Sequence, residues 1–97
     1  MIAVRFLPAA REELLAAVAY YEERQPGLGA RLNAEVEHAV ATMIAYPAIG
    51  SPITRNARRI LLNRFPYSVV YRASSDEIVV IAVAHQRRRP GYWRRRT

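Results

Sequence analysis

The densest chemistry in this 97-residue chain lies in one stretch, His85-Gln-Arg-Arg-Arg-Pro-Gly-Tyr-Trp-Arg-Arg-Arg96. Six of its twelve residues are arginine and two are large aromatics. A guanidinium presents a planar fork of donors that matches phosphate and carboxylate, and it stacks on aromatic rings. Arg58, Arg59, Arg64 and Arg72 lie on or beside segments rich in strand-forming residues, where they would join the same basic surface. Such a set suits two tasks. One is to grip an anion, with Arg58, Arg59, Arg72, Arg87, Arg88, Arg89, Tyr92 and Trp93 as the contact surface. The other is metal-free cleavage of an RNA phosphodiester. That reaction needs a group to activate the 2′-hydroxyl, cations at the scissile phosphate and an acid for the leaving oxygen. Arg64 and Arg72 would hold the phosphate, His85 would serve as acid or base, and Tyr92 would stack on a base or supply a hydroxyl.

Each residue also has a plainer reading. His85, at a strand end, would hydrogen-bond the local backbone, and His38 is ordinary helix surface. Tyr20 and Tyr21 would cover the core edge, and Tyr67 and Tyr71 would pack in the sheet. Trp93 would anchor the segment to the body through its apolar area. Glu12, Glu13, Glu22 and Glu23 read as a solvated helix face. Arg94 to Arg96 read as solubilising charge, with residues 94–97 as a loose tail.

The elements that must position these groups are legible from periodicity. Ile2 to Phe6 is short and partly alternating, a first strand. Pro8 suits a first helical turn, and Leu7, Ala10, Leu14, Val18 and Tyr21 form an apolar stripe, which predicts a helix over 8–24. Gln25-Pro-Gly-Leu-Gly29 breaks it. Leu32, Val36, Ala39, Val40 and Met43 predict a second helix over 29–45, antiparallel to the first. A loop from Pro47 to Pro52 follows, then strands over 57–62, 67–72 and 78–84, the last two joined by a turn at 74–77. The run Ile78 to Ala84 is almost continuously apolar, as in a strand covered on both faces. The class is α+β in the order β-α-α-β-β-β, one domain over 1–97. Its helical hairpin packs on one face of a mostly antiparallel four-stranded sheet, in which the place of the first strand stays open.

Composition narrows the function. The net charge is +7, yet residues 1–54 carry four arginines against six glutamates, while residues 55–97 carry eleven arginines against Asp76 and Glu77. The excess therefore sits wholly in the second half and would attract nucleic acid or an acidic protein. All fifteen basic residues are arginine, which excludes lysine as a base or Schiff-base former. The absence of cysteine excludes disulfides, thiolate metal sites and a cysteine nucleophile, and it favours an intracellular, cytoplasmic location. No signal peptide or membrane span is visible. No metal cluster, glycine-rich phosphate loop or nucleophile–histidine–acid set appears, so no cofactor or metal is expected.

The element order, the block "FPYSVVYR" (65–72), the strand "EIVVIAVAH" (77–85) and the segment "HQRRRPGYWRRR" together resemble the RelE/ParE superfamily of toxins from bacterial type II toxin–antitoxin modules, also called plasmid stabilisation proteins. The resemblance spans essentially the whole chain. It implies a cytoplasmic toxin neutralised by a cognate antitoxin in a hetero-oligomer. The superfamily holds two activities on one fold: cleavage of mRNA on the ribosome, and poisoning of DNA gyrase. Many of its nucleases carry an arginine where this chain has Ser68, and serine cannot neutralise a transition-state phosphate. That departure leans the reading toward gyrase inhibition, with the ribosome-dependent endonuclease as the alternative. A non-toxic module that binds nucleic acid or protein is a third reading, with Tyr92 and Trp93 stacking on single-stranded bases. The antitoxin is expected to bring an acidic, amphipathic segment over Arg58, Arg59 or Arg72 and part of the helical hairpin.

Overall fold

The computed structural model describes residues 2–96. Strand β1 (Ala3–Phe6) leads into helix α1 (Pro8–Arg24), which is followed by α2 (Leu28–Ala45). Strands β2 (Ser51–Pro52), β3 (Arg58–Leu61), β4 (Tyr67–Ala73) and β5 (Glu77–His85) follow, and Arg94–Arg96 form a 3-10 turn.

Pro8 stands in the first turn of α1, where its missing N–H breaks no helical bond. The stripes read from the sequence face inward. Ala10, Leu14 and Ala17 of α1 and Leu32, Val36, Ala39 and Met43 of α2 are buried. The hairpin turns through Gly27, whose φ of 91° is left-handed backbone. Gly29 lets the helices touch, since a Cβ there would stand 2.4 Å from the Val18 carbonyl oxygen. Glu22, expected on a solvated face, closes this corner instead. Its carboxylate accepts the Gly27 N–H at 2.8 Å and the Gly29 N–H at 3.0 Å, so an anion sits on donors left over at the start of α2.

The sheet has five strands rather than the expected four, in the order β1-β5-β4-β3-β2. The added strand is Ser51–Pro52, within the stretch expected as a loop, and it pairs antiparallel with Arg58 and Arg59. Two residues cannot display a period, and Pro52 is tolerated because β2 is an edge. The β3–β4 and β4–β5 pairs are antiparallel, as short turns require. β1 lies at the far edge, parallel to β5, from Ala3 opposite Glu77 to Phe6 opposite Val80. Turn length could not place it, because the next strand in the chain is a helical hairpin away.

β5 carries a bulge. Val70 faces Ala82 and Tyr71 faces Val80, which leaves Ile81 unmatched. Ile78, Val80 and Val83 therefore pack with the helices, while Ile81 and Ala82 both turn to the opposite face, against Val70, Ala57 and Trp93. β5 is thus covered on both sides, as its apolar run implied. The second cover is the C-terminal segment itself.

Candidate functional site

After His85 the chain folds back across the sheet face opposite the helices. Local backbone bonds shape the return. Gln86 donates to the Pro66 carbonyl at 2.8 Å, Arg88 to that of His85 at 2.9 Å, and Arg96 to that of Trp93 at 2.9 Å. Trp93 is only 5% exposed and anchors the fold-back, in keeping with its plainer reading. Arg94–Arg96, read as a loose tail, are an ordered turn, while Thr97 lies outside the described residues.

Glu13 holds this segment to the body. Read as solvated surface, it is half-buried. Its carboxylate accepts the Tyr92 hydroxyl at 2.6 Å, the Val83 N–H at 3.0 Å, and both Arg96 guanidinium nitrogens at 2.9 and 3.0 Å. Arg96 also donates to the Ile81 carbonyl at 3.2 Å. β1 covers the edge of β5 only as far as Val80. Beyond it, the Ile81 carbonyl and Val83 N–H would meet no strand, and the ion pair supplies the acceptor and donor that a strand would have brought. Burial alone would raise the Glu13 carboxyl, but the hydrogen bonds from Arg96, Tyr92 and Val83 outweigh it and hold it below the usual range. Burial, then the bond to Glu13, pushes the Tyr92 phenol well above its ordinary value.

Between the fold-back and the sheet lies a cleft of about 350 Å³. Ser68, Val70 and Ala84 line it from the sheet, and Arg59, Arg88, Arg89 and Arg94 line its sides. No aspartate or glutamate is among its lining residues. The Arg88 guanidinium stands 3.9 Å from the centre of the Tyr92 ring, and that of Arg96 stands 5.1 Å from it.

The residues singled out from the sequence divide. Arg59, Arg88, Arg89, Tyr92 and Trp93 meet around the cleft. His85 borders it, but its ring packs edge-on to Tyr67, centroids 5.0 Å apart, and its Nδ1 accepts the Arg87 N–H at 3.0 Å. Arg72 borders a separate depression with Arg55 and Arg58. Arg64 lies in the exposed bend before β4, where its N–H reaches Glu35 at 3.4 Å. Arg58 points to neither partner nor cleft: its guanidinium donates to the carbonyls of Ala48 at 3.1 Å and Gly50 at 2.8 Å, fixing the loop before β2. Arg87 is exposed outside the cleft lining. Trp93 is buried and Tyr92 is bonded to Glu13 beneath a guanidinium, so both aromatics hold the segment rather than offer open stacking faces. Glu13 went unrecognised, although its place between Ala10, Leu14 and Ala17 on the buried stripe carried the signal.

A second concavity, about 430 Å³, runs between α2 and β3 and includes Glu35, His38, Ile49, Arg59 and Leu61. β2 pairs with β3 only at Arg58 and Arg59, so the outer edge at Ile60 and Leu61 has no strand beside it. Leu61 and Ile49 are exposed there, at 53% and 56%.

No helix among the described residues is long and apolar enough to cross a membrane. Residues 4–90 match the family model described as "ParE toxin of type II toxin-antitoxin system, parDE". A curated protein of Sinorhizobium fredii, "Putative toxin Y4kP", is 39% identical over 70 residues, which is 70% of this chain and 73% of that protein. A solved structure described as "Chromosomal ParDE TA system from P. aeruginosa" superposes with a TM-score of 0.74 over 88% of this chain and 96% of that one, at 20% identity. The fold is therefore shared at low identity, and with residues 4–90 matched the chain belongs to the ParE toxin family of type II toxin–antitoxin systems.

Proposed function

We propose that the protein is a cytoplasmic toxin that inhibits DNA gyrase by binding rather than by cleaving RNA, and that a cognate antitoxin neutralises it. The observation that carries this reading is the dispersal of the would-be nuclease set. Arg64 and Arg72 lie outside the cleft that His85 and Tyr92 border. The Tyr92 hydroxyl is bonded to Glu13 with its pKa raised, so it stays protonated at neutral pH and is a poor base. Ser68 lines the cleft at the place where many of the superfamily's nucleases carry an arginine. A gyrase inhibitor needs no such convergence, only a complementary surface, and the arginine-rich fold-back provides a rigid one.

The antitoxin is assigned to the groove between α2 and β3. An extended peptide can add to the unpaired edge at Ile60 and Leu61, its apolar side chains meeting Leu61 and Ile49 and its carboxylates meeting Arg59.

The test combines purified protein with gyrase and plasmid, and in parallel with translating ribosomes. Inhibited supercoiling or trapped double-strand breaks, with intact mRNA, is the expected outcome. Toxicity should survive His85→Ala and Arg64→Ala. Ribosome-dependent cuts that vanish in His85→Ala overturn the reading.

A further inference from the structure

β2 stops short of an edge that its own chain could have closed. With Ser51 opposite Arg59, the same register would set Gly50 opposite Ile60 and Ile49 opposite Leu61, yet neither pairs. Leu62 donates its N–H inward to the Tyr67 carbonyl, so strand alternation turns the N–H and carbonyl of Leu61 outward, to where a further strand would lie. We infer that a clamp made by Tyr71 and Arg58 holds the chain off this edge, and that antitoxin affinity depends on the clamp although neither residue meets the antitoxin; this rests on the groove between α2 and β3 being the antitoxin's seat.

Tyr71 and Arg58 stand opposite each other on β4 and β3. The Tyr71 side chain is wholly buried, and its hydroxyl accepts the Gly50 N–H at 2.9 Å and donates to the Pro47 carbonyl at 2.8 Å. The Arg58 guanidinium donates to the Ala48 and Gly50 carbonyls, at 3.1 and 2.8 Å. The Ile49 N–H, which a longer β2 would offer to Leu61, goes instead to the Tyr46 carbonyl at 2.9 Å. Gly50 is fitted to this diversion, since a Cβ there would stand 2.7 Å from the Tyr71 hydroxyl oxygen and 2.9 Å from the Arg59 carbonyl oxygen.

An edge that its own loop could occupy is a poor seat, because a partner would first have to displace the loop. Held off, the loop leaves the Leu61 backbone open to strand addition and sets Ile49, 56% exposed, beside it as a second apolar anchor. That order is imposed on folding, so the arriving segment does not lose the entropy of arranging the loop. The occupant that fits is an extended antitoxin segment with an apolar side chain for Ile49 and Leu61 and a carboxylate for Arg59. A second copy of this chain, at +7, carries the wrong net charge for that arginine.

The experiment measures binding of the full-length antitoxin encoded beside the toxin gene to the intact toxin and its variants, with amide exchange followed on the toxin alone. Tyr71→Phe keeps the ring and loses both hydroxyl bonds. It should weaken antitoxin binding about tenfold and speed exchange of the Gly50 N–H about tenfold or more. Arg58→Lys, at a half-exposed position, keeps the charge but does not bridge two carbonyls, and it should weaken binding as well. Val69→Ala truncates the core in the same strand and should bind as the parent does, which separates the clamp from a general loss of stability. Parent-like binding by Tyr71→Phe or by Arg58→Lys, or an equal loss in Val69→Ala, overturns the inference. If Leu61→Glu loses binding while Tyr71→Phe keeps it, the clamp falls and the groove stands as the antitoxin's seat. If Leu61→Glu also binds as the parent does, both fall.

Discussion

Glu13 and Arg96 lie 83 residues apart in the chain and meet in a two-pronged ion pair, at 2.9 and 3.0 Å. Their side chains are only 16% and 23% exposed, so the pair is shielded from the solvent that makes most surface salt bridges weak. It continues the sheet past the end of β1 by answering the Val83 N–H and the Ile81 carbonyl. The arginine-rich fold-back of this chain is thus held by an acid from the opposite layer.

Removing that acid strands four donors at once. Glu13→Ala should lower stability by about 2–4 kcal/mol, measured by urea unfolding, because the half-buried Tyr92 hydroxyl loses its acceptor and the half-buried Arg96 keeps only the Ile81 carbonyl. Glu13→Gln should fall between it and the parent, since the amide oxygen still accepts one bond.

The same carboxylate sets an acid limit. Its folded pKa lies below the ordinary value of 4.5, so its contribution is complete above that pH and fades as pH falls through the folded value. Tyr92 works in the opposite sense. Its folded pKa lies above the ordinary 10.0, so its contribution is complete below pH 10 and declines as pH rises further. Urea midpoints across pH should show the parent losing its advantage over Glu13→Gln on the acid side, and over Tyr92→Phe on the alkaline side.

Trp93 should be the largest single anchor of the fold-back. Trp93→Ala should cost about 3–5 kcal/mol by denaturant unfolding, from lost burial against Val70, Ile81 and Ala82. In the folded fraction of this variant, trypsin should cut faster at Arg94 and Arg95, while cleavage at Arg24 in the helical hairpin stays at the parent's rate.

The proposed antitoxin edge makes its own forecast. Leu61→Glu, at an exposed position, should leave stability within about 0.5 kcal/mol. It should weaken antitoxin binding about tenfold or more by calorimetry, because it puts a carboxylate where an acidic segment must lie. Gyrase inhibition should persist in the same variant.

Much of this architecture could be read from residue order. The two helical stripes, the β4–β5 hairpin and the double cover of β5 all followed from spacing and turn length, because such signals are local. What escaped was non-local or hidden by composition. Ile78 to Val83 are all apolar, so the bulge at Ile81, which swaps the faces of everything after it, leaves no mark in the pattern. Arg58 and Arg59 are adjacent and look equivalent, yet strand alternation sends one to a loop's carbonyls and the other to the cleft. Glu13 and Glu12 look like neighbours on a wet helix; only Glu13 flanks the buried stripe of Ala10, Leu14 and Ala17, and its partners come from the returning chain.

Timing follows from the latch between residues 13 and 96. A contact closing so long a loop recovers its entropy only after most of the intervening structure has formed, so it belongs late in folding. The arginine cleft, walled by the segment that this latch secures, therefore comes into being last. A chain halted earlier, with its helices and hairpin already assembled, would lack the surface proposed to meet gyrase.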